Sequence, residues 1–412
     1  MLCNGSFYKM LSYNGRVRQI GGIALLMWTV GAFAQTVPAA PQDLLARFQA
    51  QMLENMSSQP NYTCLETVER SRQVPGGGVQ VNDTLRLDVA LVDGKEMFAW
   101  PGSKQFEDKS IREMIATGMF GNGNYALYSR MLFGGAGPKF EYQGEFALAG
   151  RPAARYDFRV HGVGSGYELS VDGRTAIVGF HGSIYVDPQT ADLRRLEVNA
   201  DDIPAALGLT AAEDRVDYAR VAIGGEKFLL PVESALLMAG KTNISRNRVR
   251  FSGCHKFAGE SSLIFDESEL TDRADATAAA AEPTEVTLPP STTLSIEIRN
   301  DLVLGEAATG DAVTGLLKSD VKAGKQILIK KGATATGRIV VLEHFPNFAI
   351  LSVEFHELVW PGGHATFKSQ LDRPGMPQAG SGRVYYSERG MQFMSPVPRT
   401  IRGAQLTFKT VE

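Results

Sequence analysis

The chain has 412 residues, of which 44% are hydrophobic and 21% are charged, and its formal net charge is −3 at pH 7. No region carries the concentrated positive charge that binding to phosphate backbones requires, so nucleic acid is excluded as an expected partner. A single hydrophobic core rarely extends over so many residues, and we therefore expect two domains.

The first 34 residues have the layout of a secretory signal peptide. A basic segment comes first, an apolar run over residues 20–34 follows, and an A-x-A motif at its end predicts cleavage between Ala34 and Gln35. We expect export, either to the periplasm or out of the cell. The apolar run is shorter than the roughly 20 residues of a membrane-spanning helix. An uncleaved anchor is the alternative, and we expect no transmembrane segment in the mature chain.

The cysteines indicate a disulfide. Cys3 falls within the predicted signal peptide, which leaves Cys64 and Cys254. An even number of cysteines in an exported protein favours one bond between them. That bond would link positions 190 apart, and in the chain-entropy model a loop of this length stabilises a fold by roughly 5 kcal/mol. Two separate buried thiols are the alternative, because sequence alone does not give their geometry.

The predicted mature chain begins with an amphipathic helix and continues as strands. Residues 61–73 are predicted to form a strand, and Asp93-Gly94 is a hairpin turn into another strand over residues 96–100. The helix is predicted from one apolar stripe at helical spacing, made of Leu44, Leu45, Phe48, Met52, Leu53 and Met56.

The pattern changes after residue 101. Apolar residues return to helical spacing over residues 106–119 and again over residues 125–132, which predicts two inserted helices. Strands separated by turn residues follow from residue 140 to residue 265. This order indicates a mainly β (α+β) fold, a curved antiparallel half-barrel. The helices are expected to cover its concave face, because apolar surface would otherwise be exposed.

This layout resembles the LolA-type fold of outer-membrane lipoprotein carriers and related periplasmic lipid-binding proteins. The likeness covers about residues 41–266. It rests on the leading helix, the strand NYTCLETVERS, the segment LVDGKEMFAWPGSKQFE and the hairpins SIYVDPQTADLRRLEV and VDYARVAIGGEKFLLP. The family has an incomplete β-barrel whose hollow contains helices and accepts acyl chains. The resemblance therefore implies a lipid or another apolar small molecule as the ligand.

The resemblance also implies which side chains line the hollow. The ligand-binding candidates are aromatic and methionine residues, namely Trp100, Phe106, Met114, Met119 and Phe120. Methionine-rich surfaces adapt to varied apolar ligands. The alternative is that these residues form ordinary hydrophobic core, which is the more frequent role of such a stripe.

A second region follows a predicted linker. Residues 271–283 include four consecutive alanines and no aromatic residue, which predicts a linker between a first domain at 41–270 and a second at 284–412. In the second domain apolar and polar residues alternate, as around Ile327 and Ile329, which predicts half-buried strands of a small all-β barrel. Residues 372–390 are rich in Gly, Pro and Ser and are predicted to form a mobile loop.

The second region resembles the small β-barrel at the end of TrbI-like conjugation and type IV secretion proteins. The likeness covers about residues 286–371. The shared order is a Leu-Pro start, a first strand, the Gly310-Asp311 step, a Lys-Gly-Ala turn and a Gly-Arg strand. The family's barrels assemble into envelope-spanning rings, which implies an envelope protein as a partner. The sequence lacks an extended Pro-rich arm, so the ring-forming role is not carried over.

No motif dictates a reaction. The six histidines form no HExxH motif and no cysteine pair has zinc spacing, so we expect no metal and no cofactor. The sequence favours an exported cell-envelope binding protein over an enzyme, with an apolar-ligand or lipid-binding module joined to an interaction barrel. One alternative is a structural or assembly component of an envelope complex that acts through the barrel. The other is a hydrolase whose catalytic residues meet only in the folded protein.

Overall fold

The computed structural model describes residues 40–73, 78–103, 106, 114, 125–134, 137–171, 173–257, 284–372, 384–387, 389–394 and 400–411. All of them belong to one compact unit that runs from Ala39 to Glu412. Several expectations lie outside the described residues and stay predictions: the signal peptide with its cleavage site at Ala34 and Gln35, the linker over residues 271–283, the side chains of Met119 and Phe120, and most of the loop over residues 372–390.

The first region forms one large sheet. Ten strands pair antiparallel in the order β3-β2-β1-β12-β11-β10-β9-β8-β5-β4, and β6 pairs with β7 as a separate hairpin. Because β1 lies between β2 and β12, the last strand of the region returns beside its first. In chain order the strands are β1 (Tyr62–Gln73), β2 (Val79–Val92), β3 (Lys95–Ala99), β4 (Glu141–Leu148), β5 (Arg151–Val160), β6 (Glu168–Val171), β7 (Arg174–Ile177), β8 (Gly179–Val186), β9 (Leu193–Asp201), β10 (Leu209–Ile223), β11 (Glu226–Gly240) and β12 (Ile244–Lys256).

Two helices, α1 (Pro41–Ser58) and α2 (Tyr125–Phe133), cover the concave face of this sheet. Leu44, Phe48 and Met52 repeat every four residues, so they lie on one side of α1, and all three are buried in the core between helix and sheet. Phe48 meets Phe133 of α2 edge to face, with ring centroids 5.3 Å apart. Leu53 was expected in the same stripe but is 49% exposed, because one residue further along a helix turns the side chain by about 100°.

The second region forms another ten-stranded sheet. Its order is β13-β21-β20-β19-β16-β14-β26-β22, and β24 pairs with both β20 and β23. Two short pairs, β15 with β25 and β17 with β18, stand beside it. In chain order the strands are β13 (Thr284–Glu285), β14 (Thr293–Ile298), β15 (Leu302–Val303), β16 (Ala312–Leu317), β17 (Val321–Ala323), β18 (Gln326–Ile329), β19 (Thr334–Phe345), β20 (Phe348–Trp360), β21 (Gly363–Thr366), β22 (Lys368–Leu371), β23 (Val384–Ser387), β24 (Gly390–Met394), β25 (Thr400–Ile401) and β26 (Gln405–Val411).

The second sheet curls so that β22, the strand at one end of its order, lies beside β20. The hydroxyl of Ser369 on β22 donates to the carbonyl of Phe355 on β20 at 2.7 Å and accepts from the amide of Phe355 at 2.9 Å. Phe355 also meets Phe408 edge to face in the core of this region, with ring centroids 5.0 Å apart. The buried Ser369 hydroxyl is therefore fully bonded where the sheet curls round, as a buried polar group requires.

The predicted mainly β fold, with a curled half-barrel sheet and few helices, is confirmed. The turn between β2 and β3 is the predicted Asp93-Gly94 pair, and both residues have positive φ angles, 51° and 75°, as the tight hairpin turn of this type requires. Among the described residues, no helix combines the length and the apolar character needed to cross a membrane.

The two sheets meet at a joint formed by β2 and the segment before β16. The amide of Arg86 donates to the carbonyl of Thr309 at 2.8 Å, and the amide of Thr309 donates to the carbonyl of Thr84 at 2.9 Å. The guanidinium of Arg86 also donates to Asp311 at 2.6 Å. The Gly310-Asp311 step therefore lies against the first sheet, and backbone bonds as well as an ion pair hold it there.

Candidate functional site

A cavity of about 300 Å³ lies between the end of α1 and one end of the first sheet. It is bounded by residues from α1, α2, β1, β2, β3, β10, β11 and β12. Sites for small molecules are commonly concave and mostly apolar, with a few polar groups. This cavity is the candidate functional site of the described part of the chain.

The floor of the cavity is apolar. Its buried side chains come from one helix and four strands, and they are Met52, Cys64, Val89, Tyr218, Leu229 and Leu230. Strand pairing brings these positions to one end of the sheet: Cys64 and Val89 are partners across β1 and β2, and Leu229 and Leu230 lie on β11 beside β10, the strand of Tyr218. Apart from the hydroxyl of Tyr218, this set offers a ligand only apolar contacts.

The mouth of the cavity is polar and exposed. Asn61 and Asp93 are bonded to each other there: the amide of Asp93 donates to the Asn61 side-chain oxygen at 2.9 Å. Arg130 of α2 donates to the carbonyl of Gly94 at 2.8 Å. These contacts tie α2 and the segment that follows α1 to the β2–β3 turn. A ligand would therefore pass polar groups before it reached the apolar floor.

Asn55 fixes the end of α1 to the sheet. Its side-chain amide donates to the carbonyl of Leu229 on β11 at 3.0 Å, and its side-chain oxygen accepts from the amide of Leu229 at 2.8 Å. A side-chain amide thus takes the place of a neighbouring strand for this residue of β11. Because Met52 and Met56 belong to the same part of α1 and both line the cavity, this pair of bonds sets the position of one wall.

Two tyrosines face the cavity, Tyr62 on β1 and Tyr218 on β10. Burial is the main cause that raises the pKa of each, and the carboxylate of Glu96 raises both further. Both hydroxyls therefore keep their protons at neutral pH. The two differ in their contacts: Tyr62 has a hydrogen bond with the side chain of Gln59, whereas the Tyr218 hydroxyl has no partner among the described residues.

A buried carboxyl group lies on the same face of β10, deeper under α2. The hydroxyl of Tyr128 donates to Asp214 Oδ2 at 3.2 Å, and Asp214 Oδ1 has no partner in the described part of the chain. Burial raises the pKa of Asp214 to about 7, although the hydrogen bonds from Tyr128 and from the amide of Arg215 lower it. Asp214 is therefore a proton-binding group inside the core.

The predicted cysteine pair is bonded. Cys64 of β1 and Cys254 of β12 form a disulfide across two neighbouring strands, with Cα atoms 4.1 Å apart. Cys64 is buried at the cavity floor. Cys254 packs against two groups of buried apolar side chains, one around Leu87 of β2 and one around Ile223 of β10. The bond therefore links the first and last strands of the first region, and it supports one wall of the cavity.

Three of the five predicted ligand-binding residues are described, and the structure places them in different surroundings. Trp100 lies at the joint, where the guanidinium of Arg338 is 5.5 Å from its ring centroid. Phe106 meets Phe257, with ring centroids 5.7 Å apart. Met114 packs with Trp100 against the cluster around Leu85 and Val249. None of the three is among the described residues that line the cavity, and their predicted ligand contact stays a prediction.

The sequence contains only a weak pattern that marks Tyr218 as a cavity residue. Tyr218 stands two positions after Val216, and alternation along β10 predicts that both point to the same face. The β10–β11 hairpin places Tyr218 opposite Pro231, and the order of strands in the whole sheet brings Cys64 of β1 to the same cavity. No periodicity in a single segment shows that convergence.

A second, polar cleft on the outer face of the first sheet bears on the hydrolase hypothesis. The hydroxyl of Ser183 donates to Asp157 at 2.7 Å and accepts from Arg155 at 3.1 Å, while His181 Nδ1 lies 2.7 Å from Asp201 Oδ1. Nucleophilic catalysis by serine needs the hydroxyl bonded to the base. In the described contacts the serine proton goes to a carboxylate instead, so this cluster gives the hydrolase hypothesis no support.

Comparisons with known proteins give matches of structure only. No protein-family model matches the chain, and no curated protein matches it. Among solved structures, the chain is similar to the LolA superfamily protein NE2245 from Nitrosomonas europaea, with a TM-score of 0.25 and 10% identity over 53% of this chain and 94% of that one.

Two further solved structures are similar. One is a domain described as an outer membrane lipoprotein-sorting protein from Vibrio parahaemolyticus, with a TM-score of 0.29 and 10% identity over 53% of this chain and 94% of that one. The other is a DUF1329 family protein from Desulfovibrio piger, with a TM-score of 0.28 and 14% identity over 55% and 98%. The LolA superfamily is the family that the sequence layout resembles, whereas the TrbI-like resemblance stays a prediction.

Proposed function

We propose that this chain is an exported binding protein that holds an apolar molecule, such as an acyl chain, in the cavity between α1 and the first sheet. The observation that carries the proposal is the arrangement of the cavity, with an apolar floor of buried side chains and a polar, exposed mouth. Burial of apolar surface on such a floor would supply the affinity, at about 25 cal/mol per Å².

The volume of the cavity limits the size of the ligand. Small-molecule pockets commonly measure roughly 300–1,000 Å³, and this one, at about 300 Å³, lies at the lower end of that range. We therefore favour one acyl chain or a compact apolar molecule over a lipid with several chains. The methionines in the α1 wall, Met52 and Met56, would adapt to ligands of differing shape.

Two features support export. The N-terminal layout is that of a secretory signal peptide, and the Cys64–Cys254 disulfide is of a kind that persists in oxidising compartments. Periplasm and cell exterior both satisfy these conditions. The proposed site of action is therefore the cell envelope or its surroundings.

The proposal is tested by ligand binding. Protein purified from its own host is examined by native mass spectrometry for a bound apolar molecule, and displacement of a fluorescent acyl probe is then measured. Met56→Trp fills the cavity from α1 and is expected to weaken probe binding about tenfold or more, equivalent to about 1.4 kcal/mol. Leu53→Trp is the matched control, since Leu53 lies on the same helix but is exposed, and it should bind the probe like the parent protein.

Two results would contradict the proposal. The first is the absence of any co-purifying apolar molecule together with no probe binding by the purified protein. The second is equal probe binding by the parent protein and Met56→Trp, with Met56→Trp shown to be folded by circular dichroism, because the probe would then bind elsewhere.

A further inference from the structure

The cavity floor contains one polar group with no described partner, the hydroxyl of Tyr218. Tyr218 is only 9% exposed, so solvent does not readily satisfy this hydroxyl. An unpaired buried hydroxyl destabilises a folded protein, and such groups are rare. A group that is left unpaired at the floor of a binding cavity points to a ligand as its partner.

We propose that the apolar ligand carries an uncharged hydrogen-bond acceptor, of the ester or amide carbonyl type, which accepts a hydrogen bond from Tyr218 at the cavity floor. This inference rests on the proposed function and adds the chemical class of the ligand and a residue that selects it. The surrounding floor residues, such as Leu229 and Val89, are apolar, so a carbonyl placed there has one good donor and an apolar environment for the rest of the chain.

The charges near Tyr218 disfavour an anionic group. Burial is the main cause that raises its pKa, and the carboxyl groups of Asp214 and Glu96 raise it further. The hydroxyl is thus a donor at neutral pH, and a carboxylate or phosphate beside it would be repelled by these acids. Arg130 is the cation at the mouth, but Asp93 and Glu96 lie in the same lining and offset its charge.

The test compares three ligands of one medium chain length: a methyl ester, the free acid and the alkane. Each ligand is titrated in competition with the fluorescent acyl probe, and its affinity is measured for the parent protein, for Tyr218→Phe and for Tyr142→Phe. In the parent protein the ester is expected to bind about tenfold more tightly than the alkane, the effect of one hydrogen bond, and more tightly than the acid. Tyr218→Phe should remove the preference for the ester and leave alkane binding unchanged. Tyr142→Phe is the control, because Tyr142 is exposed on β4.

Thermal unfolding of the ligand-free proteins separates this role from a structural one. If the hydroxyl has no partner in the protein, Tyr218→Phe should have an unchanged or higher melting temperature, whereas a clear loss would reveal a structural partner and overturn the inference. Equal binding of ester and alkane by the parent protein, as a bound water at Tyr218 would produce, or tighter binding of the acid would also overturn it. If none of the three ligands displaces the probe, the proposed function itself fails.

Discussion

Asp214 makes the stability of the protein depend on pH. A carboxyl group of this type has a pKa of about 3.9 in an unfolded chain, whereas burial raises the pKa of Asp214 to about 7 in the folded protein. Between these values the folded protein holds a proton that the unfolded chain releases. The contribution of the protonated carboxyl is therefore complete below about pH 4 and is lost as the pH rises through about 7.

Asp214→Asn should remove this dependence. Asparagine has nearly the same shape, carries no charge at any pH and can still accept the hydrogen bond from Tyr128. We expect the variant to match the parent protein near pH 4 and to exceed its free energy of unfolding by up to about 4 kcal/mol near pH 8, from a difference of about three pKa units. Urea unfolding of both proteins across this range measures the difference.

An exposed neighbour provides the control for Asp214. Glu213 is the preceding residue on β10 and points to solvent, so Glu213→Gln should leave the pH dependence of the parent protein in place. A difference between parent and Asp214→Asn that stays constant with pH would contradict the proton-binding role. The groups that face Asp214 in the core, Tyr128, Tyr167 and Tyr218, have raised pKa values and do not titrate in this range.

At the scale of elements, the side chain of Asn55 holds the C-terminal end of α1 against β11. Asn55→Ala removes both hydrogen bonds to the backbone of Leu229. It should lower the free energy of unfolding by about 2 kcal/mol, at about 1 kcal/mol for each bond. Probe binding should weaken as well, because Met52 and Met56 lose their fixed position in the cavity wall. Urea unfolding and probe titration measure the two effects.

Glu54→Ala separates this contact from the general effect of an alanine in the helix. Glu54 precedes Asn55 and is exposed, and alanine is a strong helix former, so stability and probe binding should both stay close to those of the parent protein. If Asn55→Ala lost stability but bound the probe unchanged, the wall formed by α1 would not belong to the binding site.

The elements show what sequence patterns can predict and where they fail. The spacing of Leu44, Phe48 and Met52 predicted the buried side of α1, because helix period and burial are local properties. Ile327 was expected to point inwards with Ile329 but is 45% exposed. The pairing of β17 with β18 shifts register between Val321 and Lys322, and a shift of this kind changes which face a residue occupies.

The candidate site depends on contacts that no local pattern contains. Trp100 lies against Arg338 of the second sheet, a partner more than two hundred positions away, and its predicted contact with a ligand stays a prediction. Tyr218 was not singled out, because a tyrosine on an alternating strand resembles any other inward aromatic residue. Which inward residues surround a cavity is decided by strand order, and strand order follows from the pairing of the whole sheet.

At the scale of the whole molecule, hydrogen bonds and an ion pair at the joint connect the two sheets. Backbone hydrogen bonds between Arg86, Thr309 and Thr84 continue the pairing of β2 into the second region. Gln80 extends the contact, because its side-chain amide donates to the carbonyl of His344 on β19 at 3.1 Å. We therefore expect the second sheet to stabilise β2 and, through it, the cavity wall that contains Val89 and Leu91.

Gly310→Ala tests that coupling. Gly310 has a φ of 102°, and a Cβ there would lie 2.2 Å from the carbonyl oxygen of Arg86, so alanine has to push the sheets apart. The expected cost is about 1–3 kcal/mol for overpacking, with a further 1–2 kcal/mol or so for the left-handed backbone. Gly332→Ala is the matched control: its φ is 99° and no atom lies within 4 Å of its Cβ position. Gly332→Ala should therefore lose only the roughly 1–2 kcal/mol of stability that the left-handed backbone costs.

Hydrogen exchange measures the coupling. It should accelerate at the amides of Arg86 and Thr309 in Gly310→Ala and not in Gly332→Ala. Equal exchange in both variants would show that the joint does not couple the sheets.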